Sequence, residues 1–225
     1  MSEIKTILFD LDGTLTDPKE GITKCVQHAL AQCGIREPDL ERLTCFIGPP
    51  LQESFEEFYG MDREQSAFAL ARYRDRFSTV GMFENRLIEG MDGLLKTLKS
   101  AGKRLAVATS KPTVFSREIL KHFGVLSYFD CLIGSELDGR RTDKGEVIRA
   151  VLEDLGISEE EKSHVWMVGD RRFDIEGAHG EGIRAAGVRF GYAAPQELER
   201  AGADFIADTV EELEAFLMGK QQCTL

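Results

Sequence analysis

Two spacings of apolar residues alternate along this chain, and the alternation predicts its architecture. Ile4 to Phe9 is a short apolar run holding one lysine and one threonine, and it ends abruptly in Asp10-Leu11-Asp12-Gly13-Thr14. Such a run reads as a buried strand that delivers carboxylates into a loop. Arg104 to Thr109, Phe129 to Ile133, His164 to Val168 and Arg184 to Val188 repeat that form, and Ala203 to Ala207 is a candidate edge strand. Between them apolar residues recur at helical spacing: Leu94, Leu95 and Leu98; Phe115, Ile119 and Phe123; Val147, Ile148, Val151, Leu152 and Leu155. Strands that alternate with helices predict an α/β fold whose parallel sheet is covered on both faces, with ligands bound at the carboxyl ends of the strands. The alternation does not specify a reaction.

From Pro18 to Arg86 the alternation stops, and only helical patterns are found. Ile22, Val26, Leu30 and Cys33 share one face; Leu51, Phe55, Phe58 and Tyr59 form a second; Phe68, Ala71 and Phe77 suggest a third. Asp17-Pro18 and the segment around Gly90 flank this stretch as hinges. The expected organisation is a Rossmann-like core of residues 1–17 and 87–225, with an all-helical cap over residues 18–86 inserted after the first strand.

A length of 225 residues accommodates a domain with such an insertion. The formal charge of -11 repels polyanions, so nucleic acid and anionic membranes are poor partners for the surface as a whole, although local cations can hold one small anion. Cys25, Cys33, Cys45, Cys131 and Cys223 are scattered and odd in number, which reads as reduced thiols in a cytoplasmic protein. The residues from Met1 to Lys5 form neither a secretory signal nor a spanning helix. A monomer or homodimer is expected. His28, His122, His164 and His179 lack metal-ligand spacing, Trp166 belongs to the core, and Arg72, Arg74 and Arg76 mark a solvated helix face.

Asp10 and Asp12 flank one residue at a strand end, so they share a loop, and Gly13 permits tight backbone geometry there. Two carboxylates this close repel each other, and a divalent cation or one shared proton relieves the repulsion and separates their roles. An isolated Asp-x-Asp is usually a turn cap. Here, however, later strands end in further polar groups. Thr109, Ser110 and Lys111 close the second strand, and the next helix starts near Pro112, where hydroxyls and free N–H groups form an anion site. Gly169-Asp170-Arg171-Arg172-Phe173-Asp174 brings two more carboxylates, the ligands that hard cations prefer. Lys144, just ahead of an apolar-periodic helix, can balance a phosphate.

These four pieces, in this order, resemble the haloacid dehalogenase-like hydrolases, specifically phosphatases of the phosphoglycolate phosphatase type. The motifs stand as Asp10-Leu11-Asp12-Gly13-Thr14-Leu15-Thr16-Asp17, Thr109-Ser110-Lys111-Pro112, Lys144, and Gly169-Asp170 with Asp174. The resemblance implies Asp10 as nucleophile and metal ligand, and Asp12 as general acid and base with its main-chain carbonyl on magnesium. It further implies Thr109, Ser110 and Lys144 around the phosphoryl group, Asp170 on the metal, and Asp174 on it directly or through a water. Gly48, in the rigid turn Gly48-Pro49-Pro50 of the segment Phe46 to Leu51, and Arg172 are expected to contact substrate. Many relatives carry a lysine-proline pair at the third motif, whereas Arg140-Arg141-Thr142-Asp143-Lys144-Gly145 stands here, so Arg140 or Arg141 could approach the same phosphate. The wording Gly169-Asp170-Arg171-Arg172 resembles a subgroup described as 5'-nucleotidases. The implied activity is magnesium-dependent hydrolysis of small phosphorylated metabolites, phosphoglycolate or a 5'-nucleotide, through an aspartyl phosphate. The alternatives are a phosphosugar mutase and a non-catalytic phosphometabolite-binding module.

Overall fold

The structure, a computed structural model, describes residues 3–220. Cys223 lies outside the described residues. In chain order the elements are β1 (Thr6–Phe9), β2 (Thr16–Asp17), α1 (Lys19–Gln32), α2 (Leu51–Tyr59), α3 (Arg63–Phe77), β3 (Arg86–Leu87), α4 (Met91–Ser100), β4 (Arg104–Pro112), α5 (Thr113–His122), β5 (Cys131–Ser135), α6 (Lys144–Asp154), β6 (Val165–Gly169), α7 (Arg172–Gly180), β7 (Arg184–Val188), α8 (Glu197–Arg200), β8 (Phe205–Ala207) and α9 (Val210–Leu217). The chain divides into two compact units, one of residues up to Thr16 and from Leu87 onward, the other Asp17–Arg86.

The first unit is an α/β fold around a six-stranded sheet ordered β5-β4-β1-β6-β7-β8, with every pairing parallel. A parallel sheet is covered on both faces, which is why its central strands read as near-continuous apolar runs. All four residues of β1 are buried. Alternation along each strand then decides which helix a side chain meets. Leu8, Ala106, Met167 and Ala185 join Val147, Ile148 and Val151 of α6 and Ile175 and Ala178 of α7 in one buried cluster. Trp166 is buried and meets Phe216 of α9 edge-on at 4.8 Å.

Register fixes where the chemistry emerges. Phe9 is level with Val107 of β4 and with Val168 of β6. The residues that follow these three positions therefore issue from one edge of the sheet. The pairing runs one step past β1, since the Asp10 N–H donates to the Val168 carbonyl at 2.9 Å.

Five strands differ from their sequence-based ranges: β1 begins at Thr6, β6 spans Val165–Gly169 and β8 begins at Phe205, shifts of one or two residues, while β4 and β5 differ more. β4 continues past Thr109 through a bulge to Pro112, so α5 begins at Thr113 and Pro112 is its N-cap rather than its first helical residue. β5 begins at Cys131 and runs on to Ser135 beside the lengthened β4, although Phe129 was expected to open it.

The second unit is helical apart from the ends of the ribbon β2-β3. In α1, Ile22, Val26 and Leu30 are buried as the spacing predicts. The buried face of α3 is Ser66, Ala69, Tyr73 and Phe77; the expected Phe68 and Ala71 are exposed. A serine and an alanine hold the early part of that face, which hid it from apolar periodicity. Arg76 is not solvated either, because Glu84 binds it at 2.6 Å.

Truncating Ile148, fully buried between α6 and the sheet, removes three methyl-sized groups and leaves a cavity. Urea unfolding of Ile148→Ala is expected to show a loss of about 2–5 kcal/mol. A loss below about 1 kcal/mol would contradict this placement of α6.

Candidate active site

At the carboxyl end of β1 the chain reverses tightly: the N–H groups of Leu15 and Thr16 both donate to the Leu11 carbonyl at 2.9 Å. Gly13 makes this possible with φ 81, and a Cβ there would stand 2.1 Å from Asp170 Oδ2. Asp10 and Asp12 are thus both buried, one residue apart, with Asp170 packed against the same turn.

Asp170 follows β6 and is held by what surrounds it. Its Oδ2 accepts the Tyr192 N–H at 2.7 Å, and the Thr14 hydroxyl donates to its Oδ1 at 3.5 Å. A Cβ on Gly191 would stand 2.3 Å from the Asp170 Cβ and 2.5 Å from the Gly13 carbonyl. Asp174 lies in the first turn of α7, where its Oδ2 accepts the Arg171 N–H at 3.0 Å. Gly169 gives it room, since a Cβ there would fall 2.1 Å from the Asp174 carboxyl carbon.

Lys144 opens α6 from the opposite side of the cluster, positioned by the N-cap Asp143, which accepts the Glu146 N–H at 3.1 Å. Its buried Nζ is 2.8 Å from Asp10 Oδ1, 2.8 Å from Asp174 Oδ1 and 3.2 Å from the Ala108 carbonyl. It donates hydrogen bonds to Asp10 and the Ala108 carbonyl and forms an ion pair with Asp174. Burial alone pushes its pKa down, but Asp10 and Asp174 outweigh that and hold it above the usual lysine range. A second lysine, Lys111, lies 2.6 Å from Asp12 Oδ2.

Four carboxylates against two ammonium groups leave two negative charges in a buried site when all are ionised. The strain shows in the acids. Burial, with the charges of Asp174 and Asp10 behind it, pushes Asp170 well above the usual carboxylate range. Burial also lifts Asp174 to about 6 and raises Asp12 despite Lys111. Asp10, Asp170 and Asp174 each offer a carboxylate oxygen within 4.8 Å of the others. Two uncompensated charges on hard oxygen donors suit a divalent cation such as magnesium.

The sequence-predicted residues are therefore sorted. Asp10, Asp170, Asp174 and Lys144 converge; the Asp12 carboxylate stands next to them, on Lys111, and is not one of the three grouped carboxylates. Thr109 is buried at the end of the straight part of β4, its hydroxyl accepting the Lys111 N–H at 3.3 Å, and Ser110 follows it. Arg172 is 55% exposed and its contacts are to Phe173, Glu176 and Glu197, none of them in the cluster. Arg140 and Arg141 pair with Asp138 and Glu136, leaving Lys144 as the third-motif cation of the cluster. Gly48 lies in the helical unit with φ 106.

Sequence reasoning missed the part played by Lys111, although its place beside Ser110 at a strand end was the available signal. It also missed Gly191 and the Tyr192 backbone, where only a glycine soon after β7 gave a hint. Elsewhere in this unit, a cavity of about 290 Å³ opens at the amino ends of β1 and β4, among Lys5, Thr6, Lys103, Arg104 and His164, at the other end of the sheet from the carboxylates.

The chain matches known proteins over most of its length. Residues 7–188 match the family model described as haloacid dehalogenase-like hydrolase. A 5'-nucleotidase of Pseudomonas aeruginosa is 50% identical over 192 residues, covering 85% of this chain and 86% of that protein. The tyrosine-protein kinase PtkA of Mycobacterium tuberculosis is 37% identical over 209 residues, 92% of this chain and 70% of that protein. A crystal structure described as a predicted phosphatase from Clostridium acetobutylicum superposes with a TM-score of 0.92 at 45% identity, covering 97% of this chain and 100% of that one. The chain belongs to the haloacid dehalogenase-like hydrolase family, among its phosphatases.

Proposed function

We propose that this phosphatase hydrolyses phosphate monoesters of small metabolites through an aspartyl phosphate on Asp10, with magnesium, and that its substrates are of the 5'-nucleotide or phosphoglycolate type. The observation that carries the reading is the buried cluster of Asp10, Asp170 and Asp174, with the Lys144 ammonium on two of its members, Asp10 and Asp174, beside the separate pair Asp12–Lys111. The 50% identity to a 5'-nucleotidase supports the nucleotide end of the substrate range.

In this mechanism the Asp10 carboxylate attacks phosphorus in line with the leaving alcohol, and the phosphorus–oxygen bond to that alcohol breaks. Asp12 gives its proton to the departing oxygen. It then takes a proton from the water that attacks the acyl phosphate, which releases inorganic phosphate and restores Asp10. Thr109, Ser110 and Lys144 hold the phosphoryl oxygens, where fixed donors act more strongly than they would in water. Asp10, Asp170 and Asp174, with the Asp12 carbonyl, would hold magnesium, which when bound supplies positive charge to the phosphoryl oxygens. Gly48 and Arg172 enter as substrate contacts through the likeness to the family alone.

A phosphate-release screen over 5'-nucleotides, phosphoglycolate, sugar phosphates and an aryl phosphate tests this reading. Magnesium is expected to support turnover, calcium little, and a chelator to abolish it. Asp10→Asn is expected to lower kcat by more than about a thousandfold with the fold intact. Full activity after exhaustive metal removal, or comparable turnover in that variant, would overturn the assignment.

Gly191→Ala places a methyl group in space that Asp170 and the Gly13 carbonyl occupy. Its overpacking is expected to cost about 1–3 kcal/mol in denaturant unfolding. Magnesium affinity measured by calorimetry is expected to fall by about 10- to 100-fold, because the carboxylate must shift. Unchanged affinity would show that Asp170 does not bind the metal in this position.

A further inference from the structure

β4 does not end as its neighbours do. Ala108 is level with Ile133 and the next paired residue, Pro112, is level with Ser135, so β4 advances four residues while β5 advances two. Side chains alternate with period two along a regular strand, and a bulge re-aims those that follow it. The residues re-aimed here are Thr109, Ser110 and Lys111.

The bulge is built into its surroundings. Gly134 of β5 lies under it, where a Cβ would stand 2.1 Å from the Lys111 carbonyl and 3.2 Å from the Thr109 carbonyl. The Gly134 N–H donates to the Thr113 hydroxyl at 2.9 Å. The Ser110 carbonyl accepts the Ser135 hydroxyl at 2.7 Å, and the Pro112 carbonyl accepts the Ser116 hydroxyl at 3.1 Å. Side chains thus serve backbone groups that the shifted ladder does not, which is what a buried backbone requires.

The outcome is the short contact of 2.6 Å between Lys111 Nζ and Asp12 Oδ2, with the two side chains only 7% and 12% exposed. The other oxygen, Asp12 Oδ1, is buried and accepts no hydrogen bond. A buried ion pair is weak evidence of a stabilising role, because desolvation offsets most of its attraction. It does fix geometry: one oxygen is tied to the ammonium group, and the carboxylate plane can no longer rotate to exchange it with the second.

We propose that Lys111 is a positioning residue for the reaction, delivered by the β4 bulge to hold Asp12 Oδ2 so that Oδ1 is the oxygen that exchanges protons with the leaving group and with water. The proposal rests on reading Asp12 as the acid and base. Removing Lys111 leaves Asp12 present but free to turn, so steps that need its proton slow while steps that do not are spared.

Rapid-quench measurement of alcohol release in the first turnover, with magnesium present, separates these cases by comparing ethyl phosphate with 4-nitrophenyl phosphate. An aryl leaving group needs little protonation and an alkyl one needs much. Lys111→Met is expected to slow the alkyl reaction by about 10- to 100-fold and the aryl reaction by less than about threefold, because a misplaced proton donor costs orders of magnitude. KM for both is expected to stay within about threefold, and Lys111→Arg to recover most of the lost rate. In an Asp12→Asn background the same replacement is expected to add nothing, since there is no proton left to position.

Equal slowing of both esters, a rise in KM with kcat unchanged, or additive loss in the Asp12→Asn background would overturn the proposal. Should Lys111→Met not fold, Lys111→Arg and Ser135→Ala carry the test. Ser135→Ala loosens the bulge without exposing a buried charge and is expected to bias against the alkyl ester in the same direction; unchanged leaving-group preference in both variants contradicts the proposal. If Asp12→Asn itself slows both esters equally, the acid–base reading fails and takes the proposal with it. A selective loss in Asp12→Asn without one in Lys111→Met condemns the Lys111 assignment alone.

Discussion

A buried carboxylate must find a positive charge, a donor or a proton, and four of them lie together at one edge of this sheet. Lys144 is the group that makes the arrangement tenable, because its single ammonium spans Asp10 and Asp174, each at 2.8 Å. Loss of one partner of such a group would leave a buried charge unmatched, which costs more than the pair gains. The start of α6, the loop after β6 and the end of β1 are therefore tied to one another by charge as well as by packing. Lys111 answers Asp12 separately, so the site has two local ion-pair groups and a remaining excess of negative charge. That excess is the physical reason the site suits a divalent cation.

The sheet supplies the precision that electrostatics alone could not. Because β1, β4 and β6 are in register at Phe9, Val107 and Val168, the chemistry begins at the same level on three strands. Three glycines then let side chains approach backbone closely: Gly13 and Gly191 enclose Asp170, and Gly169 admits Asp174. Two of these positions are fixed by contact rather than by backbone conformation, since only Gly13 among them has a positive φ. Methyl groups at any of the three would move a carboxylate, and carboxylate position is what the site depends on.

Much of this was legible in the sequence. Strand positions followed from short apolar runs, and Arg184–Val188 was placed to the residue. Asp10, Lys144, Asp170 and Asp174 were legible because each follows a strand or opens a helix, where topology gathers ligands. The bulge in β4 was not, because its cause is tertiary: Gly134 and Ser135 on the neighbouring strand accommodate it. The contact of the Tyr192 N–H with Asp170 uses backbone, which carries no side-chain signal. In the helical unit, the inner face of α3 escaped notice because Ser66 and Ala69 are buried while Phe68 is 49% exposed.

The central claim is that phosphate passes through Asp10. Rapid mixing with substrate and magnesium, acid quench and reduction with borohydride converts an aspartyl phosphate to homoserine, which peptide mass spectrometry locates in the sequence. The account predicts homoserine at position 10, present only when substrate is added and absent from Asp12, Asp170 and Asp174. Reduction at another of these aspartates, or none at any of them during active turnover, would contradict it.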